Sequence, residues 1–213
     1  QDQLLYTWRR HFAALIQRTN SEISAEGPHR RDGHFPLKRS MGFIDIVGFT
    51  ALAARLSPQE LTRLLHDFED TARDVVTSRG GRIVKTIGDA VMYIANDLST
   101  AANVVTALME EIQGGTHNLQ LRASLVSGEV VSLSGDVFGP TVNLASRLVN
   151  MAPPGGIRMD GNTAALIKAS KVASKYVIHP CSKQEAKGLG EIIPWSLKRT
   201  EWVLAEKAGA EKK

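Results

Sequence analysis

Two apolar, β-forming runs, RIVKTI (82–87) and AVMYIA (90–95), are separated by only Gly88 and Asp89. A connection that short must turn a strand back beside its neighbour, because parallel strands need a crossover of a dozen or more residues. The segment just before them, SPQELTRLLHDFEDTARDVVTSRGG, is marked as a helix at both ends. Ser57 stands at the N-cap, Pro58 at the first helical position, Glu60 where it closes a capping box, and Gly80-Gly81 at the stop. A helix that runs directly into an antiparallel hairpin excludes a sheet wound parallel throughout.

The remaining elements follow from the same punctuation. RSMGFIDIV reads as a strand, 98–113 as a helix and LQLRASLVSG (119–128) as a strand. EVVSLSG is a second strand or the return of the first. Residues 140–152 form a helix ended by PPGG, IRM a short strand, and 160–170 a short helix. Residues 172–180 and 190–197 read as closing strands. Strands alternate with helices, but hairpins interrupt the alternation. The expected class is α/β in the sense of an α+β sandwich, a mixed β-sheet with helices over at least one face. Ahead of this main domain (38–198), residues 1–24 carry Leu5, Trp8, Phe12 and Leu15 on one helical face. That helix either packs on the domain or serves as a dimerising or signal-transmitting element. Residues 25–37 read as a polar linker, and 199–213 as a flexible tail.

Composition narrows the function. The chain has 213 residues with 43% hydrophobic content, enough for one large core. No apolar run approaches the ~18 residues of a membrane span. The start, QDQLLYTWRR, lacks an apolar leader and begins with Gln. The sequence therefore predicts a piece of a longer protein, with a regulatory or membrane-anchored part upstream. A single cysteine, Cys181, and no Cys/His spacing for metal suit a cytoplasmic setting. The net charge of +4 arises at the ends: residues 1–40 carry 7 Lys/Arg against 4 Asp/Glu, residues 198–213 carry 5 against 3, and residues 41–197 carry 14 against 15. A domain without its own basic patch argues against a nucleic-acid partner.

Three constellations carry chemistry. Asp45 lies alone in an apolar strand and Asp89 lies at a hairpin bend. Read singly, each is a turn or capping residue. Read together, two carboxylates on adjacent strands make a hard-oxygen site suited to Mg²⁺ with phosphate oxygens. Gly48, Phe49 and Thr50 follow the first strand and precede a helix, where backbone N–H groups can cradle phosphate. On the helix after GDVFGP, Asn143, Arg147 and Asn150 share one face while Val142, Ala145, Val149 and Ala152 line the other. An amide and a guanidinium presented together suit a phosphoryl group. Neither GxGxxG nor GxxxxGK[ST] is present.

The segments FIDIVGFTAL, RIVKTIGDAVM and GDVFGPTVNLASRL, in that order and at that spacing, resemble the class III nucleotidyl cyclase catalytic domain over residues 38–198. The resemblance implies a ferredoxin-like, palm-type sheet and a head-to-tail homodimer with two shared active sites. It implies that Asp45 and Asp89, helped by the Ile46 carbonyl, hold two Mg²⁺ or Mn²⁺ ions per site. Lys85 and Asp136 then read the base, Asn143 and Arg147 act at the transition state, and Lys187 contacts the terminal phosphates. In such a dimer Lys85 and Asp89 serve opposite sites. Adenine offers an acceptor at N1 and a donor at N6, which match a lysine and an aspartate; guanine presents the reverse. The expected reaction is ATP to 3′,5′-cyclic AMP and pyrophosphate. The alternatives are a guanylate cyclase and a catalytically silent nucleotide-binding or dimerisation module.

Overall fold

The computed structural model describes residues 36–115 and 119–210, with side-chain surroundings up to residue 205. The chain divides into Gln1–Phe35 and Pro36–Lys213. The helix expected over 1–24 and the linker up to residue 35 lie outside the described residues.

The first strand, β1 (Leu37–Ile46), organises the second unit. Its side chains alternate between two cores, as a strand's period of two requires. Met41 and Phe43 enter one core, Ile44 and Ile46 the other. The hairpin β2 (Arg82–Ile87) and β3 (Ala90–Ala95) lies on one side of β1, and β4 (Leu121–Leu133) on the other. The full order is β2-β3-β1-β4-β6-β10-β7, with β6 at Ile157–Met159, β7 at Tyr176–Pro180 and β10 at Trp195–Arg199. Only the β4–β6 pairing is parallel among these. The sheet is therefore mixed.

Helices cover both faces unequally. On the first face lie α2 (Pro58–Ser78), α3 (Leu98–Gln113) and α5 (Gly161–Lys168), preceded by the single turn α1 (Phe49–Ala53). The second face is covered by α4 (Pro140–Met151), through Val142, Ala145, Leu148 and Val149. The capping box expected at Ser57 forms in full, with the Glu60 carboxylate accepting from the Ser57 amide at 2.8 Å. No helix among the described residues is long and apolar enough to cross a membrane.

Four segments differ from the sequence reading. The closing strand expected over 172–180 begins only at Tyr176, after a 3₁₀ turn over Ala173–Lys175. The pieces 119–128 and EVVSLSG are one continuous strand, β4. Gly128 is not a turn there: a Cβ at that position would stand 2.5 Å from Thr141 Oγ1, so the glycine admits α4 against the sheet. The chain turns later, at Ser134 and Gly135, both left-handed (φ 51° and 84°), and returns as β5 (Asp136–Phe138). The closing strand 190–197 is split. β9 (Gly190–Ile192) pairs with β8 (Gln184–Ala186) in a separate two-stranded sheet, while β10 joins the main one. Pro194 falls between them and has no amide to donate to a ladder. The tail expected to be flexible from residue 199 is helical over α6 (Thr200–Ala210). Trp202 anchors it, packing on the first core and donating from Nε1 to Glu110 Oε1 at 2.6 Å.

The β1–β4 ladder is open for two residues between Met41↔Val126 and Ile44↔Ala123. The Tyr93 hydroxyl fills the opening and donates to the Ser124 carbonyl at 2.8 Å, while the Phe43 amide turns to Ser124 Oγ at 3.0 Å. Burial pushes the Tyr93 phenol well above its ordinary pKa, so it remains a neutral donor. Gly42 makes this possible, since a Cβ there would lie 1.8 Å from the Ser124 oxygen and 2.6 Å from the Tyr93 hydroxyl. Gly42→Ala must spread the two central strands and is expected to cost at least ~3 kcal/mol. Urea unfolding of the variant beside the parent chain checks this; an unchanged midpoint would contradict it.

Candidate active site

The second face, under and beside α4, gathers the candidate residues. At one end of the sheet β1 pairs Asp45 with Ala90 on β3 and with Arg122 on β4. The Ile46 amide reaches the Asp89 carbonyl at 3.4 Å. The two aspartates thus sit at neighbouring strand ends, beside the backbone of Ile46. Asp45 is 13% exposed, and Arg122 supplies its counter-charge. Arg122 Nε donates to Asp45 Oδ2 at 2.7 Å and a terminal nitrogen lies 2.5 Å from the same oxygen. That terminal nitrogen also donates to Asn150 Oδ1 at 3.3 Å, and Asn150 Nδ2 is held by the Ser146 carbonyl at 2.8 Å.

Arg122 was not singled out by the sequence reading. Its signal was available: it is the one charged residue in LQLRASLVSG, as Asp45 is in FIDIV. Two lone charges of opposite sign in apolar strands are natural cross-strand partners.

Just past β1, Gly48 adopts φ 71° and caps α1, its carbonyl accepting from Ala51 and Leu52 at 3.0 and 3.1 Å. The amides of Phe49 and Thr50 lie in the first turn, where a helix offers no acceptor. The Phe49 ring packs on the first core, and Thr50 is exposed.

The second constellation depends on a backbone irregularity. Between Ile83 and Lys85 the β2–β3 register shifts by one, so Lys85 pairs with Met92. In the unshifted register it would pair with Val91. Met92 belongs to the core beneath α4 and Val91 to the core on the opposite face. The pairing with Met92 puts Lys85 on the second face, which it shares with Val84 across the bulge. There it meets Asp136, with Nζ 2.6 Å from Oδ2, and lies 5.8 Å from the centroid of the Phe138 ring. The β4–β5 hairpin is brought across to β2 by Arg82, which donates to the Gly135 carbonyl at 3.2 Å. Asp136 Oδ1 accepts from the Val137 amide at 2.8 Å, which fixes the carboxylate plane.

Asn143 and Arg147 lie half-buried on α4, on the same stripe as Asn150. The other side of the helix enters the core. Among the described residues the Arg147 guanidinium has no hydrogen-bond or ion-pair partner, and it shares the helical stripe of Asn150, which Arg122 reaches. Lys187 is exposed in the turn of the separate β8–β9 hairpin. The structure does not bring it to the aspartates.

The donor set fits a hard divalent cation. Among the described residues no three His, Cys, Asp or Glu side chains cluster. What the strand ends offer is two carboxylates and backbone oxygen. That set leaves room for the water and phosphate oxygens that Mg²⁺ prefers over a closed protein cage.

Residues 38–199 match the family model described as "Adenylate and Guanylate cyclase catalytic domain". The chain is 36% identical to an adenylate cyclase of Streptomyces coelicolor, covering 93% of this chain and 57% of that one. It is 32% identical to an adenylate cyclase of Glutamicibacter nicotianae, covering 92% and 50%. The chain thus spans about half the length of the curated relatives it matches. Among solved structures, the catalytic core of a rhodopsin-guanylyl cyclase with converted specificity, in complex with ATPαS, superposes with a TM-score of 0.70 at 25% identity, covering 78% of this chain and 99% of that one. With a cyclase sheet and a cyclase sequence match over the same residues, the chain belongs to the adenylate and guanylate cyclase catalytic domain family.

Lys85 and Asp136 are 27% and 31% exposed, and an ion pair that open to solvent contributes ~1 kcal/mol or less to stability. Asp136→Ala should therefore leave thermal unfolding within a few degrees of the parent. A large loss of stability would instead mark the pair as structural.

Proposed function

We propose that this chain carries the catalytic domain of an adenylate cyclase, which converts ATP to 3′,5′-cyclic AMP and pyrophosphate at sites shared by two copies in a head-to-tail homodimer. The observation that carries the choice of ATP is the Lys85–Asp136 pair, held at 2.6 Å on the same face as Asp45. A lysine donor and an aspartate acceptor match adenine N1 and N6. Guanine would set donor against donor and acceptor against acceptor, a mismatch on the order of 10²–10⁴ in discrimination. The naming of two relatives as adenylate cyclases supports the same choice.

In the reaction the ribose 3′-oxygen attacks the α-phosphorus, the bond to the β-phosphate bridge breaks, and pyrophosphate leaves. Asp45, Asp89 and the Ile46 carbonyl would hold two Mg²⁺ or Mn²⁺ ions, which supply charge neutralisation for the triphosphate and acidity to the 3′-hydroxyl. The Phe49 and Thr50 amides, beside Gly48, face the phosphates from the helix start. Arg147, with no protein partner among the described residues, stabilises charge building on the α-phosphoryl oxygens, and Asn143 orients the ribose. Lys187 is assigned to the terminal phosphates only through its place in KGLGE. None of these side chains is placed as a general base, so the 3′ proton leaves to water or substrate phosphate.

One chain holds both carboxylates, the base-reading pair, and Asn143 with Arg147. A complete set favours a symmetric dimer with two equivalent sites. The test is cyclic nucleotide production from ATP and GTP in parallel, with Mg²⁺ or Mn²⁺, over a range of protein concentration. Cyclic AMP formation with specific activity rising with concentration is expected. Mainly cyclic GMP would overturn the reading of Lys85 and Asp136, and nucleotide binding without product would identify a silent module. Asp45→Ala and Arg147→Ala should each lose at least about 10²-fold in activity, yet their mixture should regain part of it through mixed dimers with one intact site. Folded, exchanging variants that show no rescue would contradict the shared-site geometry.

A further inference from the structure

Asp45 is never offered to solvent as a bare anion. It is mostly buried, and a desolvated carboxylate requires a cation beside it. Arg122 fills that need by putting two nitrogens on one oxygen, Oδ2, at 2.7 and 2.5 Å. A divalent ion at Asp45 would draw on the same carboxylate: on Oδ2 it meets Arg122 directly, and on Oδ1 it shares the group's single negative charge with the guanidinium and is repelled by it. The two cations are therefore competitors for one charge.

Arg122 cannot withdraw by losing its proton, because a guanidinium stays charged throughout the accessible pH range. It can withdraw only toward another acceptor. One is already in place: Asn150 Oδ1, 3.3 Å from the terminal nitrogen and itself hung from the Ser146 carbonyl. A neutral amide cannot replace a carboxylate in charge. A phosphate group can, and the guanidinium fork matches its geometry.

We propose that Arg122 is a built-in counter-cation that keeps Asp45 closed to free metal ions and releases it when the nucleotide's phosphates take over the guanidinium. Metal and nucleotide then bind with positive coupling, and a free divalent ion alone is held weakly. Charge balances in the exchange: the carboxylate trades one cation for another while the guanidinium trades one anion for another. The inference rests on the reading of Asp45 as a metal ligand, and its test separates the two.

The experiment is a titration of Mn²⁺ into the full chain without nucleotide, following free Mn²⁺ by electron paramagnetic resonance and thermal unfolding in the same samples. Arg122→Gln is expected to bind Mn²⁺ at least about tenfold more tightly than the parent, a difference of ~1.4 kcal/mol. Its unfolding temperature, lowered without metal, should recover toward the parent value as Mn²⁺ saturates. Arg122→Lys keeps the charge but loses the fork, and should lie between the two. It also supplies the comparison if Arg122→Gln does not fold. Mn²⁺ binding no tighter in either variant than in the parent would overturn the proposal. The added Asp45→Asn change should abolish the gain. A gain that survives it would show that Asp45 is not the ligand, and the site reading beneath the proposal would fall with it.

Discussion

A strand buried on both faces has room for a charge only where its burial ends. β1 is such a strand, paired on both edges and alternating its side chains between two cores. Its one carboxylate, Asp45, stands at the penultimate position, where both neighbouring strands also begin or turn. Three polar neighbours meet it there. Asp89 arrives because the hairpin bends there, Arg122 because β4 starts there, and Asn150 because α4 ends there. The cost of a desolvated carboxylate gathers an arginine from the next strand, an aspartate from the hairpin bend and an amide from the helix at one end of the sheet.

The same economy explains the interior opening of the ladder. At Gly42, backbone pairing is exchanged for a side-chain donor and a side-chain acceptor: the Tyr93 hydroxyl serves the Ser124 carbonyl and Ser124 Oγ serves the Phe43 amide. The sheet keeps its register across the opening, since Met41↔Val126 and Ile44↔Ala123 belong to one frame. The strand can therefore carry Asp45 to a defined place opposite Arg122 although two rungs above it are missing.

Much of this was legible in the residues, for physical reasons that differ from element to element. The helix at Ser57 and the hairpin at Gly88-Asp89 are local statements, written in caps and turn chemistry, and the structure repeats them. The placing of Asp45 and Asp89 at neighbouring strand ends follows from that hairpin being the neighbour of β1. What was hidden is non-local. Gly128 looked like a turn because its true reason, the approach of Thr141, lies 13 residues away. The tail looked disordered because the partner that holds Trp202, Glu110, sits far back on α3. Arg122 looked like an ordinary strand charge until the register set it across from Asp45. The separation of β9 from β10 turns on Pro194, a residue the periodicity passed over.

The bulge between Ile83 and Lys85 has a consequence for how such a protein can change. The lysine takes its frame from the turn, through Thr86↔Val91 and Ile87↔Ala90, and the extra residue, Val84, lets Ile83 and Arg82 pair in a second frame. Losing the bulge residue would leave the lysine opposite Met92, but deleting one residue between Lys85 and the turn would keep the lysine and still carry the ammonium to the far side of the sheet. The Lys85–Asp136 pair is therefore stored partly as a count of backbone units. Comparison of residue identities alone would miss the loss of that pair, which an insertion or deletion of a single position would bring about.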